Sequence, residues 1–143
     1  MTNSPRILLV CSCEDTVKLD PDAIAQGCRG AKVETGRQLC RAELERFRKL
    51  AASGVAMTVG CTQEAPLFAE VAAEAADAGE VTFANIRENA GWSRDAGKAG
   101  PKMAALLAAA AEPSPSAALV SMESEGVVLV YGRYEQAIEA GRL

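Results

Sequence analysis

Cysteine is the residue type whose number and spacing carry chemistry in this sequence, because histidine is absent. Five cysteines, Cys11, Cys13, Cys28, Cys40 and Cys61, follow the pattern C-x-C-x14-C-x11-C-x20-C, and the chain contains no His. Without imidazole the chain lacks the usual general base and the partner of Ser-His and Cys-His nucleophile pairs. His-containing zinc sites and haem ligation by His are excluded too, so any metal here must be held chiefly by thiolates. The spacing matches neither the C-x2-C-x2-C-x3-C-P run of bacterial ferredoxins nor the paired C-x2-C of a zinc ribbon. Thiolates from separate loops can still converge, and a four-sulfur set suits an iron–sulfur cluster or zinc. A thiol-redox site would use the same residues. Against these stands packing, since free Cys often serves as a small buried hydrophobe. Packing competes strongly with ligation for Cys28 and Cys40, which fall in helical contexts. It competes less for Cys11 and Cys13, where a loop just after a strand can turn both sulfurs the same way.

The elements that must position these residues read as alternating strands and helices. Arg6-Ile7-Leu8-Leu9-Val10 is a continuous apolar run ending at Cys11, as expected of a strand buried on both faces. Asp20-Pro21 predicts a capped helix over 20–26, closed near Gly27 and Cys28. Residues 31–34 predict a weak edge strand. From Thr35, Leu39, Leu44, Phe47 and Leu50 recur at near-helical spacing, predicting a helix that Gly54 stops. Residues 55–60 form a second apolar strand that runs directly into Cys61. Residues 64–78 predict an alanine-rich helix, 81–86 a buried strand, 87–100 a partly ordered loop around Trp92, and 101–111 a helix. Trp92 is expected to pack, its large ring being mostly buried on average. Arg87 and Glu88 are expected to form a solvated or capping pair. This order predicts an α/β fold with parallel βαβ units and helices on both faces. Functional groups of such a sheet lie beyond the carboxyl ends of its strands, where Cys11, Cys13 and Cys61 stand.

A chain of 143 residues, 49% hydrophobic and 24% charged, provides one domain's worth of core, here residues 1–111. Residues 112–118, with two Pro and two Ser, predict a linker. Beyond it, 119–143 predict a strand at Val127-Val128-Leu129-Val130-Tyr131-Gly132 and a helix from Tyr134, either a closing βα unit or the start of a following domain. That helix reaches Leu143 without a C-terminal cap, which predicts a fragment of a longer polypeptide. The net charge of −4 argues against nucleic acid as a partner. No apolar run approaches the roughly 18 residues that span a bilayer, and no signal-peptide pattern opens the chain. A cytoplasmic, reducing location is expected, where the cysteines serve metal or redox chemistry more readily than disulfides. No phosphate loop is present, and Gly132 lacks the further glycines of a dinucleotide fingerprint.

Several runs, taken in order, point to a family. Leu8-Leu9-Val10-Cys11-Ser12-Cys13, Gln38-Leu39-Cys40, Val59-Gly60-Cys61-Thr62-Gln63-Glu64-Ala65-Pro66-Leu67-Phe68 and Ala84-Asn85-Ile86-Arg87-Glu88 followed by Trp92 resemble the N-terminal domain of the flavin-binding component of heterodisulfide reductase. The resemblance covers roughly residues 6–111, and the chain resembles more closely still bacterial iron–sulfur-binding proteins in which this domain precedes ferredoxin-type modules. It implies a Rossmann-like three-layer α/β/α domain with a mainly parallel sheet. It also implies a [4Fe-4S] cluster held by Cys11, Cys13, Cys40 and Cys61, with no counterpart for Cys28. The chain departs from the family at Ser12 and Glu14, where His and Gly are usual, and after Cys61, where Pro-Arg and His are missing. Only Gly132 remains of the glycine-rich turn that opens a flavin domain there, which argues against flavin at that place.

Three functions follow as expectations. The first is an iron–sulfur cluster-binding electron-transfer module of a larger oxidoreductase, partnered by downstream ferredoxin modules of the same polypeptide or by separate redox proteins. The second is a structural docking domain without a cluster, and the third a cysteine-only zinc or thiol-redox site. Self-contained catalysis is not expected, because the acid–base and phosphate-binding parts are missing.

Overall fold

The computed structural model describes residues 5–113, 120–121 and 123–142. The chain divides into two units, Met1–Pro113 and Ser114–Leu143. In the first, strand β1 (Ile7–Cys11) is buried from Ile7 to Val10. Successive side chains of a strand alternate in direction, so Ile7 and Leu9 enter one core while Leu8 and Val10 enter the other. A strand apolar on both faces must be covered on both, and that requirement puts β1 inside a parallel sheet.

Helix α1 (Pro21–Gly27) follows, with the Asp20 carboxylate accepting the Ala23 N–H at 2.9 Å as N-cap and Pro21 in the first turn. Strand β2 (Lys32–Gly36), helix α2 (Leu44–Ala51), strand β3 (Met57–Val59), helix α3 (Ala65–Ala73), strand β4 (Val81–Phe83) and helix α4 (Gly100–Ala111) complete the unit. The sheet order is β2-β1-β3-β4, and every neighbouring pair is parallel. Ile24 of α1 and Met103, Ala104 and Leu107 of α4 cover the Leu8 face. Phe47 of α2 and Phe68 and Val71 of α3 cover the Leu9 face. With α1 on one face and α2 and α3 on the other, the arrangement is what right-handed crossovers in this strand order produce. The fold is therefore a Rossmann-like α/β/α sandwich, as the sequence predicts.

Three departures from expectation have identifiable physical causes. The helix predicted from Thr35 starts only at Leu44, because Thr35 and Gly36 continue the ladder opposite Val10 and Cys11. Residues 37–43 then turn, with the Arg41 and Glu43 N–H groups both donating to the Gln38 carbonyl. Trp92, expected to be buried, is 55% exposed, because it emerges from a π-helical turn, Arg87–Gly91, that turns its ring outward.

The third concerns the second unit, which contains helix α5 (Glu135–Ala140). Its expected strand is not formed: residues 127–131 pair with no strand among the described residues, and Val127, Val128, Leu129 and Tyr131 are exposed. An apolar run supplies one half of a ladder, and the other half is a non-local partner that the run itself does not specify. Residues 114–118 of the expected linker lie outside the described residues.

The sandwich depends on the ring pair of Phe47 and Phe68, whose centroids are 4.7 Å apart and tilted at 58°. Phe47→Ala is expected to lower the unfolding free energy in urea by about 3–5 kcal/mol. Trp92→Ala, though it removes a larger ring, should cost about 1 kcal/mol or less, in keeping with its exposure and its single cation–π contact. Equal losses would contradict the packing described.

Candidate metal centre

Because all four strands run in parallel, the loop after each one leaves the sheet at the same edge. The strand order reverses between β1 and β3, and an open α/β sheet forms its binding crevice at such a point. Here the four loops enclose a cleft of about 250 Å³ lined by Cys11, Cys13, Cys40, Cys61 and Arg87. That is several times the roughly 30 Å³ share of one water in the liquid, so the space admits more than a single ion.

Cys11 is the last residue of β1, opposite Gly36 of β2, and its thiol donates to the Arg37 carbonyl at 3.3 Å. The Cys13 N–H donates back to the Cys11 sulfur at 3.4 Å. Cys13, Glu14 and Asp15 then adopt φ values of 50°, 58° and 66° in succession. A left-handed conformation costs a non-glycine residue roughly 1–2 kcal/mol, so three in a row persist only where the surroundings over-determine them. Six contacts do so. The Glu14 N–H donates to the Arg37 carbonyl at 2.9 Å, and the Ser12 hydroxyl donates to Asp15 and accepts from its N–H. The Thr16 hydroxyl and the Val17 N–H close the turn on the Cys13 and Ser12 carbonyls. Arg37 Nε meets Asp15 Oδ2 at 2.7 Å, and this pairing, then the Ser12 hydroxyl, holds the Asp15 carboxyl below the usual carboxylate range.

Cys40 lies in the 37–43 turn, outside the helix expected to carry it. Helix α2, which follows that turn, is tied to the sheet by Arg46, which donates to the Thr35 carbonyl at 2.7 Å and to Glu34 at 2.8 Å. Cys61 follows β3 after Gly60, just ahead of α3. Burial pushes both thiols up. For Cys40 the nearby Glu64, Cys61 and Cys11 add to the effect. For Cys61 hydrogen bonds from the backbone at Glu64 and Gln63 and the Arg87 charge pull the other way.

Cys28 is separate. It caps α1 in the core between α1 and α4, and its thiol donates to the Ala104 carbonyl at 3.2 Å. Burial raises this thiol as well. Of the two cysteines for which packing and ligation competed, the structure brings Cys40 to the cleft and leaves Cys28 as a core residue.

Arg87, expected to form a solvated or capping pair with Glu88, also lines the cleft. It does pair with Glu88, its Nε lying 2.7 Å from the carboxylate, but another nitrogen of the guanidinium lies 3.6 Å from the Cys13 sulfur. The signal for this was the position of Asn85-Ile86-Arg87-Glu88 just past the end of β4, the same edge rule that placed the cysteines. Among the described residues no three Cys, Asp or Glu side chains converge as a set for one metal ion. No helix of the described residues is long and apolar enough to cross a membrane. Comparison with protein families, curated proteins and solved structures found no match.

Two substitutions test how the loops are held. A Cβ at Gly60 would sit 2.7 Å from Ile86 Cδ1, a fully buried side chain next to Arg87. Gly60→Ala should therefore lower stability in urea by about 1–3 kcal/mol, the usual cost of overpacking. Glu34, its side chain 16% exposed, is held below the usual range by Lys32 and then Arg46. A depressed carboxylate stabilises the fold above its unfolded pKa and loses that contribution as pH falls through the folded value. Glu34→Gln should thus unfold at lower urea than wild type at neutral pH, with the gap closing below about pH 4; a constant gap would show the ion pairs contribute nothing.

Proposed function

We propose that this chain is an iron–sulfur cluster-binding, electron-transfer module of a larger redox protein, with Cys11, Cys13, Cys40 and Cys61 holding a 4Fe–4S cluster. One observation carries the proposal. Loops after three different strands bring four of the five cysteines to one cleft, while the fifth packs in the core. Those four are also the cysteines that the resemblance to the heterodisulfide reductase component implies as ligands.

The donor set fits the group. Four soft thiolates without imidazole suit iron–sulfur chemistry. Around a single zinc, with bonds of about 2.3 Å, tetrahedral sulfurs lie about 3.8 Å apart. In a four-iron cluster each thiolate holds a different iron, so the sulfurs stand farther apart. Four thiols reaching one cleft from separate loops supply one thiolate for each iron of such a cluster. When bound, the cluster would carry one electron at a time.

The chain's own groups do the rest. The Cys13 N–H already donates to the Cys11 sulfur. Such donors stabilise negative charge on thiolate sulfur. Cys61 and Cys40 are half-buried where they line the cleft. Ferredoxin-type modules of the same polypeptide, or separate redox proteins of a reducing cytoplasm, are the partners this role requires.

Iron and acid-labile sulfide analysis after anaerobic reconstitution tests the proposal. Wild type and Cys28→Ala should each bind about four irons and four sulfides per chain, following the four-thiolate rule. Cys13→Ala and Cys61→Ala should lose most of that content. No iron uptake by the wild type, or one zinc with no iron, would overturn the proposal in favour of a docking domain or a zinc site respectively, and full loading of every single variant would overturn the ligand assignment.

A further inference from the structure

Among the described residues, Arg87 is the cation that hydrogen-bonds a cleft sulfur, and its surroundings hold it there. Its guanidinium carbon lies 4.6 Å above the Trp92 ring, a cation–π stack that fixes the plane of the group. One terminal nitrogen reaches Gln63 Oε1 at 3.4 Å, Nε reaches Glu88 at 2.7 Å, and the other terminal nitrogen is left for Cys13. The rigid five-donor fork of a guanidinium can serve all three at once.

The backbone that makes this possible is the π-helical turn. The Trp92 N–H donates to the Arg87 carbonyl at 2.9 Å, five residues back, which brings ring and guanidinium together. Asn85 caps the turn by accepting the Glu88 N–H at 3.1 Å. A Cβ at Gly91 would lie 2.5 Å from Val17 Cγ1, so the turn packs directly on the loop that carries Cys13. π-turns recur at functional sites, and here one couples the β4 loop to the β1 loop.

We propose that Arg87 is a positioning residue for the metal centre: it anchors the Cys13 sulfur and raises the reduction potential of the bound cluster, and Glu88 opposes it. The inference rests on the cluster proposed above and goes beyond it by assigning the setting of the potential to this ion pair. Reduction by an external one-electron donor such as dithionite makes and breaks no bond, and leaves the thiolate-bound cluster one unit more negative. A guanidinium hydrogen-bonded to a ligand sulfur stabilises the more negative state, and a carboxylate beside it destabilises that state. The Arg87 side chain is 20% exposed and that of Glu88 40%, so solvent screens the arginine less than its partner.

Opposite signs make the test sharp. Midpoint potentials would be measured by redox titration of the anaerobically reconstituted protein, following the electron paramagnetic resonance signal of the reduced cluster. Arg87→Gln should shift the midpoint to lower potential, Glu88→Gln to higher potential, and Arg87→Lys should fall between wild type and Arg87→Gln. Lys49→Gln, an exposed position on α2, should leave it unchanged. A merely structural role for the pair would not move the two variants in opposite directions. Unshifted midpoints, or shifts of the same sign, on a wild-type protein that does carry a cluster would overturn this inference alone. Failure of the wild type to take up any cluster would overturn the proposed function and this inference with it. If Arg87→Gln cannot hold a cluster, Glu88→Gln decides: a raised potential supports the assignment and an unchanged one overturns it.

Discussion

Parallel pairing of β1 with β2 on one side and β3 on the other is the constraint from which the rest of the molecule follows. Parallel strands need long crossovers, and each of these begins at the same edge of the sheet. The apolar run from Ile7 to Val10 makes β1 the strand that must be covered on both faces, and so fixes which helices lie above and below. Cys11 is then the end of a ladder position opposite Gly36, and Cys61 lies just beyond the pairing of Leu9 with Val59. Chemistry-bearing residues far apart in sequence share one edge because the strands leading to them are in register.

The same edge is where the backbone departs from regular structure. Three successive left-handed residues, a π-turn and a tight approach at Gly60 all lie around the cleft. Each is held by named contacts, the Asp15–Arg37 pair and the Asn85 cap among them. Cys28 shows the contrast. It sits at an ordinary helix end, buried between α1 and α4, and its thiol is satisfied by a single carbonyl. The division of five cysteines into four and one thus corresponds to two kinds of environment, a strained polar edge and a relaxed apolar core.

Much of this was legible in the sequence, for reasons that differ by residue. The β1 run and the Asp20-Pro21 cap are local signals, and local signals survive folding. The late start of α2 was not legible, because pairing of Thr35 and Gly36 with β1 is non-local and overrides the helical spacing of Leu39, Leu44 and Phe47. Residues 127–131 illustrate the converse, with strand-like composition but no partner among the described residues. Trp92 was misplaced, and the place of Arg87 at the cleft was missed with it. Average burial places a Trp inside, whereas the π-turn that directs this one outward over a guanidinium is a backbone feature with no compositional mark.

The central claim is that the four cleft cysteines hold one four-iron, four-sulfide cluster in a single chain. Native mass spectrometry of the anaerobically reconstituted protein tests it most directly, since it weighs the intact complex. A single dominant species heavier than the bare chain by four irons and four sulfides is the predicted result. A spectrum dominated by the bare chain, or by the chain with one metal ion and no sulfide, would contradict it.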